Sequence, residues 1–506
     1  MLAAALLLAA TVTTPTDRVL QHYEKNESKQ LVPMLVEVLR FPTDQFNPEA
    51  HVDQKAWLLK AANDLGFVAR DAGKITEIEL PGPEGAPVLG LVIHGDVQPA
   101  DAEGWTFPPY AGKVENGYVL GRGAADDKGP LVQALLAMKA LQEAGPARTH
   151  TIRLLVGSEE ESAAGEIAEY LKTHQPPDYS LVLDSEFPVV VGEKAWDGLA
   201  LVASLALRGT SDKPYSVQSI EAGLAPSIVP DRAEVKLQWQ GNTPDWTSLI
   251  AALRAVKMPE GTRLVAGAGE GDAEPVLRVV AYGKAAHAGV NLTGGRNALV
   301  ALARALEGKL PAGGVDDLLA FVRMAGQDLY GTGLGIKDND PIWGRYAVNI
   351  ATVKPKEDDP TSVVLFTNLR RTPPRTAAQS KAHLEAEVKR FNERTGAGLT
   401  VAPELSYFGD EPLGFNPNAK IVKRLMEVYT RATGERAKPA ISGGGTYAKR
   451  LPNSIAFGMW FPGKPYPGHD SDEKISVEDL QRGARVLIHA LVELATGEKI
   501  DVPFAP

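Results

Sequence analysis

Residues 86–96 read APVLGLVIHGD. From Val88 to Ile93 the run is apolar or glycine without a break, and it ends in His94-Gly95-Asp96. A strand with one wet face alternates polar and apolar residues, whereas a strand buried on both faces does not. Such strands belong to mainly parallel sheets. TIRLLVGS (151–158) and YSLVLDSE (179–186) repeat the pattern. Between the first two lies GPLVQALLAMKALQEAG (129–145), with helical apolar spacing, Pro130 in its first turn and Gly145 as its stop. Residues 163–174 are also expected to be helical. Alternating β and α segments at this spacing predict an α/β layered domain. Upstream, residues 17–40 and 52–65 have the periodicity of amphipathic helices. In KVENGYVLG (113–121), Asn116-Gly117 separates two apolar runs and signals a hairpin.

From about residue 197 to 407 the character changes. LALVASLALRGT (199–210), AEVKLQWQG (233–241), VLRVVAYGKAAH (276–287) and TSVVLFTNLR (361–370) are strand-like. Helices are expected near 247–256, 297–307 and 378–394. The α/β style returns with AKIVKRLMEVYTRATG (419–434) and SVEDLQRGARVLIHALVELATG (476–497), the latter opening with Ser476 and Asp479 in capping-box spacing. The expected fold class is therefore α/β. A catalytic domain with a mixed, largely parallel sheet flanked by helices is interrupted by an inserted α+β lid domain. The expected boundaries are 17–196 and 408–506 for the catalytic domain and 197–407 for the lid.

The chain has 506 residues, 44% hydrophobic and 23% charged, which is ordinary globular usage and enough for a sizeable core. Its net charge of −10 argues against a nucleic-acid partner. It has no cysteine, so disulfides, thiolate metal sites and a cysteine nucleophile are excluded. Residues 1–16 carry a short apolar run like the core of a secretory signal, without the usual positive start. Export to a periplasm or the outside is the expectation, with a cytoplasmic location as the alternative. No other run reaches membrane-spanning length without charges, so no membrane partner is expected.

Polar residues at the carboxyl ends of buried parallel strands sit where open α/β sheets bind ligands. Three of the expected strands end this way, in His94-Gly95-Asp96, in Glu159-Glu160-Glu161 and in Asp184. Asp126 and Asp127 follow a glycine-rich turn just ahead of a helix. Each is ordinary alone: an acidic triplet is usually a solvated loop, and Asp-Asp before a helix is usually a cap. Their recurrence at strand ends is what points to a metal site. Without thiolate, zinc takes imidazole nitrogen and carboxylate oxygen. Two metals about 3.5–4 Å apart need a shared ligand, which a carboxylate can supply. An uncoordinated carboxylate must also remain to take a proton from water.

Seven segments carry a resemblance: VIHGDVQPA (92–100), GRGAADDKGP (121–130), GSEEES (157–162), LVLDSEFPVVVGEK (181–194), GKAAHAG (283–289), SGGGTYAK (442–449) and FPGKPYPGH (461–469). Together they resemble the di-zinc metallopeptidase family of carnosinase, peptidase V, glutamate carboxypeptidase, acetylornithine deacetylase and succinyl-diaminopimelate desuccinylase. The likeness is strongest to the peptidase V and carnosinase-like dipeptidase branch. It implies two zinc ions, with manganese or cobalt as substitutes, and a small peptide substrate. His94, Asp126 and Asp184 would hold one ion. Asp126, Glu161 and His469 would hold the other, with Asp126 as the bridge. Glu160 would be the general base, and Asp96 would orient the His94 imidazole. The resemblance also implies a cis Asp126–Asp127 peptide. His287, from the insert, would stabilise the oxyanion. Arg370 and the turn Gly443, Gly444, Gly445, Thr446 would grip the substrate carboxylate.

The chain departs from the family pattern in places. The family's Thr-Asp before the glutamate pair is Ser158-Glu159, and the following glycine is Ala163. The run of three glutamates leaves Glu159 as the alternative base. The lid's Asn-Val-Val-Pro segment reads Ser227-Ile228-Val229-Pro230. Rival functions are an N-acyl amino-acid deacylase or a carboxypeptidase with the same metal pair, and an inactive binding protein on the same fold. Both a monomer and a homodimer are compatible, because some relatives take the lid histidine from a neighbouring subunit. His22, His51, His150, His174, His383 and His489 have no expected carboxylate partner and read as surface or packing residues. Trp57, Trp105 and Trp196 read as core.

Overall fold

The computed structural model describes residues 13–502 and 504, apart from 101, 163–164, 268–274 and 467. Ala163 and most of the apolar run expected to be a signal therefore lie outside the described residues. Among the described residues no helix is long and apolar enough to cross a membrane.

The catalytic domain is built on a six-stranded sheet in the spatial order Val68–Ala72, Ile75–Leu80, Thr151–Gly157, Val88–His94, Tyr179–Val182, Ser454–Ala456. The four strands from Thr151–Gly157 onward in that order are parallel, and the first two add an antiparallel hairpin at one edge. Leu89, Leu91 and Ile93 of the strand that opened the sequence reading point into the larger core, beneath the helices Lys128–Ala144 and Val477–Thr496. Val92 points into a second core on the other face, with Tyr170 and Tyr447. Both faces are covered, which is why the run needs no polar alternation.

The inserted domain is an eight-stranded sheet in which every named pairing is antiparallel. Ala298–Ala305, Gly314–Ala325 and Ala377–Thr395 pack on it and form a separate core with residues such as Leu302, Leu319 and Leu384. The strands Tyr215–Ala222 and Ala347–Lys356, the edge hairpin of the catalytic sheet and the helix Gly314–Ala325 are elements that the sequence reading left out.

Local differences have local causes. The expected helix 17–40 is three pieces, Pro15–Lys25, a 3-10 turn Glu27–Lys29, and Leu31–Val38. A continuous helix would set the ring of Pro33 against the carbonyl of Lys29, and the break moves Pro33 into the first turn of a new helix. The same turn brings Glu27 to 3.2 Å from His22, so that histidine does have a carboxylate partner. The expected helix 163–174 is helical only over Glu166–Tyr170, because Lys172 and Thr173 bond back to the third residue rather than the fourth. At the hairpin, Asn116 (φ 51°) and Gly117 (φ 79°) adopt the two left-handed conformations a tight two-residue turn requires.

The chain crosses between the domains near residues 195 and 410, and Arg371 ties both crossings. Its guanidinium is fully buried, 2.9 Å from Asp197 and 2.9 Å from Glu411, and also donates to the carbonyls of Arg375 and Asp410. Removing one partner of a buried pair leaves the other charge uncompensated. Arg371→Met is expected to lower unfolding free energy by about 3–5 kcal/mol, measured as a drop in the urea midpoint. Lys60→Met, which breaks an exposed pair with Asp64, is expected to leave the midpoint nearly unchanged.

Candidate active site

Sheet order gathers the site. The strand ending in His94 lies between Thr151–Gly157, which leads into Glu159–Glu161, and Tyr179–Val182, which leads into Asp184. Three carboxyl ends, about 4.8 Å apart in a sheet, therefore bring imidazole and carboxylates to one crevice. Asp126 arrives on the turn before the helix Lys128–Ala144, and its peptide bond to Asp127 is cis.

The Asp126 carboxylate stands between two imidazoles. Its Oδ1 is 3.0 Å from His94 Nε2, and its Oδ2 is 3.1 Å from His469 Nε2. His469 Nε2 is also 2.8 Å from Glu161 Oε1, and His94 Nε2 is 4.0 Å from Asp184 Oδ2. Ligand-capable atoms of His94, Glu160 and Asp184 lie within 4.8 Å of one another, as do those of His94, Asp126 and Glu161. The structure thus brings together all five residues expected to hold metal. Glu160 is among them, facing the cavity, while Glu159 turns away to pair with Lys74 at 2.5 Å.

Asp96 acts differently from the expectation. Its backbone carbonyl, not its carboxylate, meets His94 Nδ1 at 2.9 Å, and the carboxylate stays 3.6 Å away. The carboxylate instead accepts the backbone N–H groups of Glu160 (3.2 Å) and Glu161 (2.9 Å). It therefore shapes the loop that carries the two glutamates.

The charge balance tests whether metal fits. Burial, reinforced by neighbouring carboxylates, pushes the carboxyls of Glu160, Asp184 and Asp127 well above the usual range. Burial would lower the histidines, yet Glu161 and Asp126 raise His469 to about 10, and the Asp126 hydrogen bond with the charge of Asp184 drives His94 up. Acid outweighs base in a dry pocket, and divalent cations would restore the balance. The donors are imidazole nitrogen and carboxylate oxygen, a set that suits zinc and also accepts manganese or cobalt.

The lid closes over this crevice. His287 stacks on His469 with ring centroids 4.2 Å apart. Its Nδ1 accepts the N–H groups of Gly289 (2.9 Å) and Val290 (3.0 Å), which places its proton on Nε2. Burial, with His469 and Arg370 nearby, holds its pKa well below the usual value, so it is a neutral donor at pH 7. The Ser227 carbonyl, in the segment that lacks the family's asparagine, lies 3.3 Å from His469 Nδ1. Arg370 is buried against Gly289, with its Nε unpartnered, and burial lowers it to about 10. In the Gly443–Thr446 turn, Gly444 N–H donates to Ser442 Oγ, while Thr446 gives both its N–H and its hydroxyl to Glu193.

The sequence matches the description "Peptidase family M20/M25/M40" over residues 90–493. The chain belongs to that family. Relatives include "Putative dipeptidase YtjP" of Bacillus subtilis (strain 168), 30% identical over 417 residues, which cover 81% of this chain and 84% of the relative. "Putative dipeptidase SAB1611c" of Staphylococcus aureus (strain bovine RF122 / ET3-1) is 25% identical over 443 residues, covering 87% and 90%. Human carnosine dipeptidase 1 shares the fold, with a TM-score of 0.60 at 14% identity, covering 95% of this chain and 98% of that one. The dipeptidase Dug1p of Saccharomyces cerevisiae gives 0.59 at 13% identity, covering 94% and 98%.

In this M20-family chain, several residues that sequence reasoning missed support the ligands. Glu473 is fully buried and accepts from Arg122 (2.7 Å) and from the N–H groups of Gly123 (3.1 Å), Ala125 (2.9 Å) and Asp126 (3.2 Å). It moulds the turn that aims Asp126. Gln98 donates to Glu161 Oε2 at 2.8 Å. The one available signal was the position of Glu473, four residues past His469, which nothing in a single sequence separates from a surface acid. Glu473→Gln should weaken metal binding about 10–100-fold, read by competition with a chromogenic chelator. Unchanged affinity would exclude this supporting role.

Proposed function

We propose that this chain is a two-metal dipeptidase that cleaves the amide bond of dipeptides or short peptides. The observation that carries the reading is the Asp126 carboxylate presenting one oxygen toward each of two histidines, with Glu160 beside it. His94, Asp126 and Asp184 would hold one zinc ion, and Asp126, Glu161 and His469 the other. When bound, the pair lowers the pKa of water and polarises the scissile carbonyl. The dipeptidase names of the curated relatives support the substrate class.

Glu160 takes the proton of the attacking water and passes it to the departing amine nitrogen. The Nε2–H of His287 donates to the oxyanion as the carbonyl becomes tetrahedral, a contact made mainly in the transition state. Arg370 and the backbone of Gly443–Gly445 receive the substrate's terminal carboxylate. Thr446 is committed to Glu193 and holds that turn in place. The closed cavity measures about 30 Å³, room for about two waters. Opening of the lid admits substrate, and closing expels water and returns His287. The chain supplies that histidine itself, so the mechanism needs no second subunit.

Glu160→Ala is expected to lower kcat by about 10²–10⁴-fold while zinc content, measured by atomic emission, stays near that of the unaltered protein. Retained turnover would rule Glu160 out as the base. Dialysis against a chelator should abolish dipeptide hydrolysis, and added zinc, manganese or cobalt should restore it. Full activity in metal-free protein would overturn the two-metal reading.

A further inference from the structure

Most of the cavity wall is polar or charged, and its large apolar side chains are Val290, Trp460 and Tyr466. They occupy two places. Val290 belongs to the glycine turn: a side chain begun on Gly444 would meet Val290 Cγ2 at 3.3 Å and His287 Cε1 at 3.6 Å. Tyr466 meets the His287 ring edge-on, with centroids 5.9 Å apart, and stacks on Trp460 at 4.1 Å with 28° between the planes. Trp460 is carried by the short strand Met459–Trp460, which pairs with Ser185–Glu186 directly after Asp184. The aromatic pair is therefore tied to the strand that follows Asp184, while Val290 is tied to the glycine turn.

The pair is held rigidly. Tyr466 is buried in the wall beside Asp126 and Asp184. Gly468 leaves the ring its space, since a Cβ there would stand 2.4 Å from Tyr466 Cζ. The Tyr466 carbonyl accepts from Asn291 of the lid at 3.2 Å, so closure braces the wall.

We infer that Trp460 and Tyr466 form the subsite for the side chain on the N-terminal side of the scissile bond, and that it selects an aromatic or branched apolar residue. This rests on the dipeptidase reading. A dipeptide whose carboxylate reaches the glycine turn, where Val290 sits, leaves its first residue to the rest of the wall, whose large apolar groups are the two rings. A flat, fixed aromatic surface gains most from apolar and ring contact, repels a carboxylate at its face, and gives a lysine ammonium only the modest attraction of the ring faces.

The test uses zinc-loaded full-length protein and the series Gly-Gly, Leu-Gly, Phe-Gly, Glu-Gly and Lys-Gly. Phe-Gly and Leu-Gly should exceed Gly-Gly in kcat/KM by about tenfold. Trp460→Ala should lower kcat/KM for Phe-Gly about tenfold more than for Gly-Gly, mainly through KM, with metal content matching the unaltered protein. Trp460→Phe should retain most of the preference, which separates loss of the ring from loss of the fold. A Phe-to-Gly ratio that Trp460→Ala leaves unchanged would overturn the inference while leaving dipeptidase activity in place. So would an unaltered protein that favours the Glu or Lys substrate. Failure to cleave any of the five would overturn the dipeptidase reading and this subsite with it.

Discussion

One carboxylate, that of Asp126, is held between His94 and His469 with an oxygen toward each. The two histidines are far apart in sequence and come from different parts of the fold. His94 ends a central strand, while His469 lies in a loop near the C-terminal end of the chain, after the lid has been inserted. The contact exists only when the catalytic domain is complete. Glu473 makes it reproducible by accepting from the backbone N–H groups of Gly123, Ala125 and Asp126. Gln98 and the Asp96 carboxylate do the same for Glu161. Around the small set of candidate metal ligands stands a larger set of buried polar groups that fixes their geometry.

Concentrating acid in a dry crevice is costly unless something neutralises it. The raised carboxyls of Glu160 and Asp184 and the raised histidines express that cost in the chain itself. His287 is the exception, because it faces positive neighbours and its Nδ1 is occupied by two N–H donors. The same burial thus has opposite outcomes a few ångströms apart. It keeps the His287 imidazole neutral as a donor, whereas at His94 and His469 the neighbouring carboxylates overcome it and favour the charged form. The lid matters to both, since it carries His287 and places the Ser227 carbonyl against His469.

The buried parallel strands were legible because double-sided burial leaves an unbroken apolar run, and their acidic or histidine ends marked the crevice. Long helices with clear stops were legible for similar reasons. The edge hairpin Val68–Leu80 was not, because its first strand is partly exposed and short. Tyr215–Ala222 mixes polar and apolar residues without strict alternation, and a bulge shifts its register. The residues that would hold metal were picked out through motif resemblance, and the structure brings them together. The place of Trp460 and Tyr466 in the cavity wall was not legible, since an aromatic residue looks the same in sequence whether it packs in a core or lines a cavity.

Sequence alone determined the fold class, the two-part organisation of the chain and the residue types able to hold metal without thiolate, because periodicity and donor chemistry are local properties. Tertiary structure decided which of three adjacent glutamates faces the crevice, sending Glu159 to Lys74 and Glu160 inward. It also decided that Asp96 meets His94 through its backbone while its carboxylate accepts from the glutamate loop, and that His287 of the lid stacks on His469 of the same chain. These are questions of direction and proximity. They are answered by strand order and domain closure, which no spacing along the chain encodes.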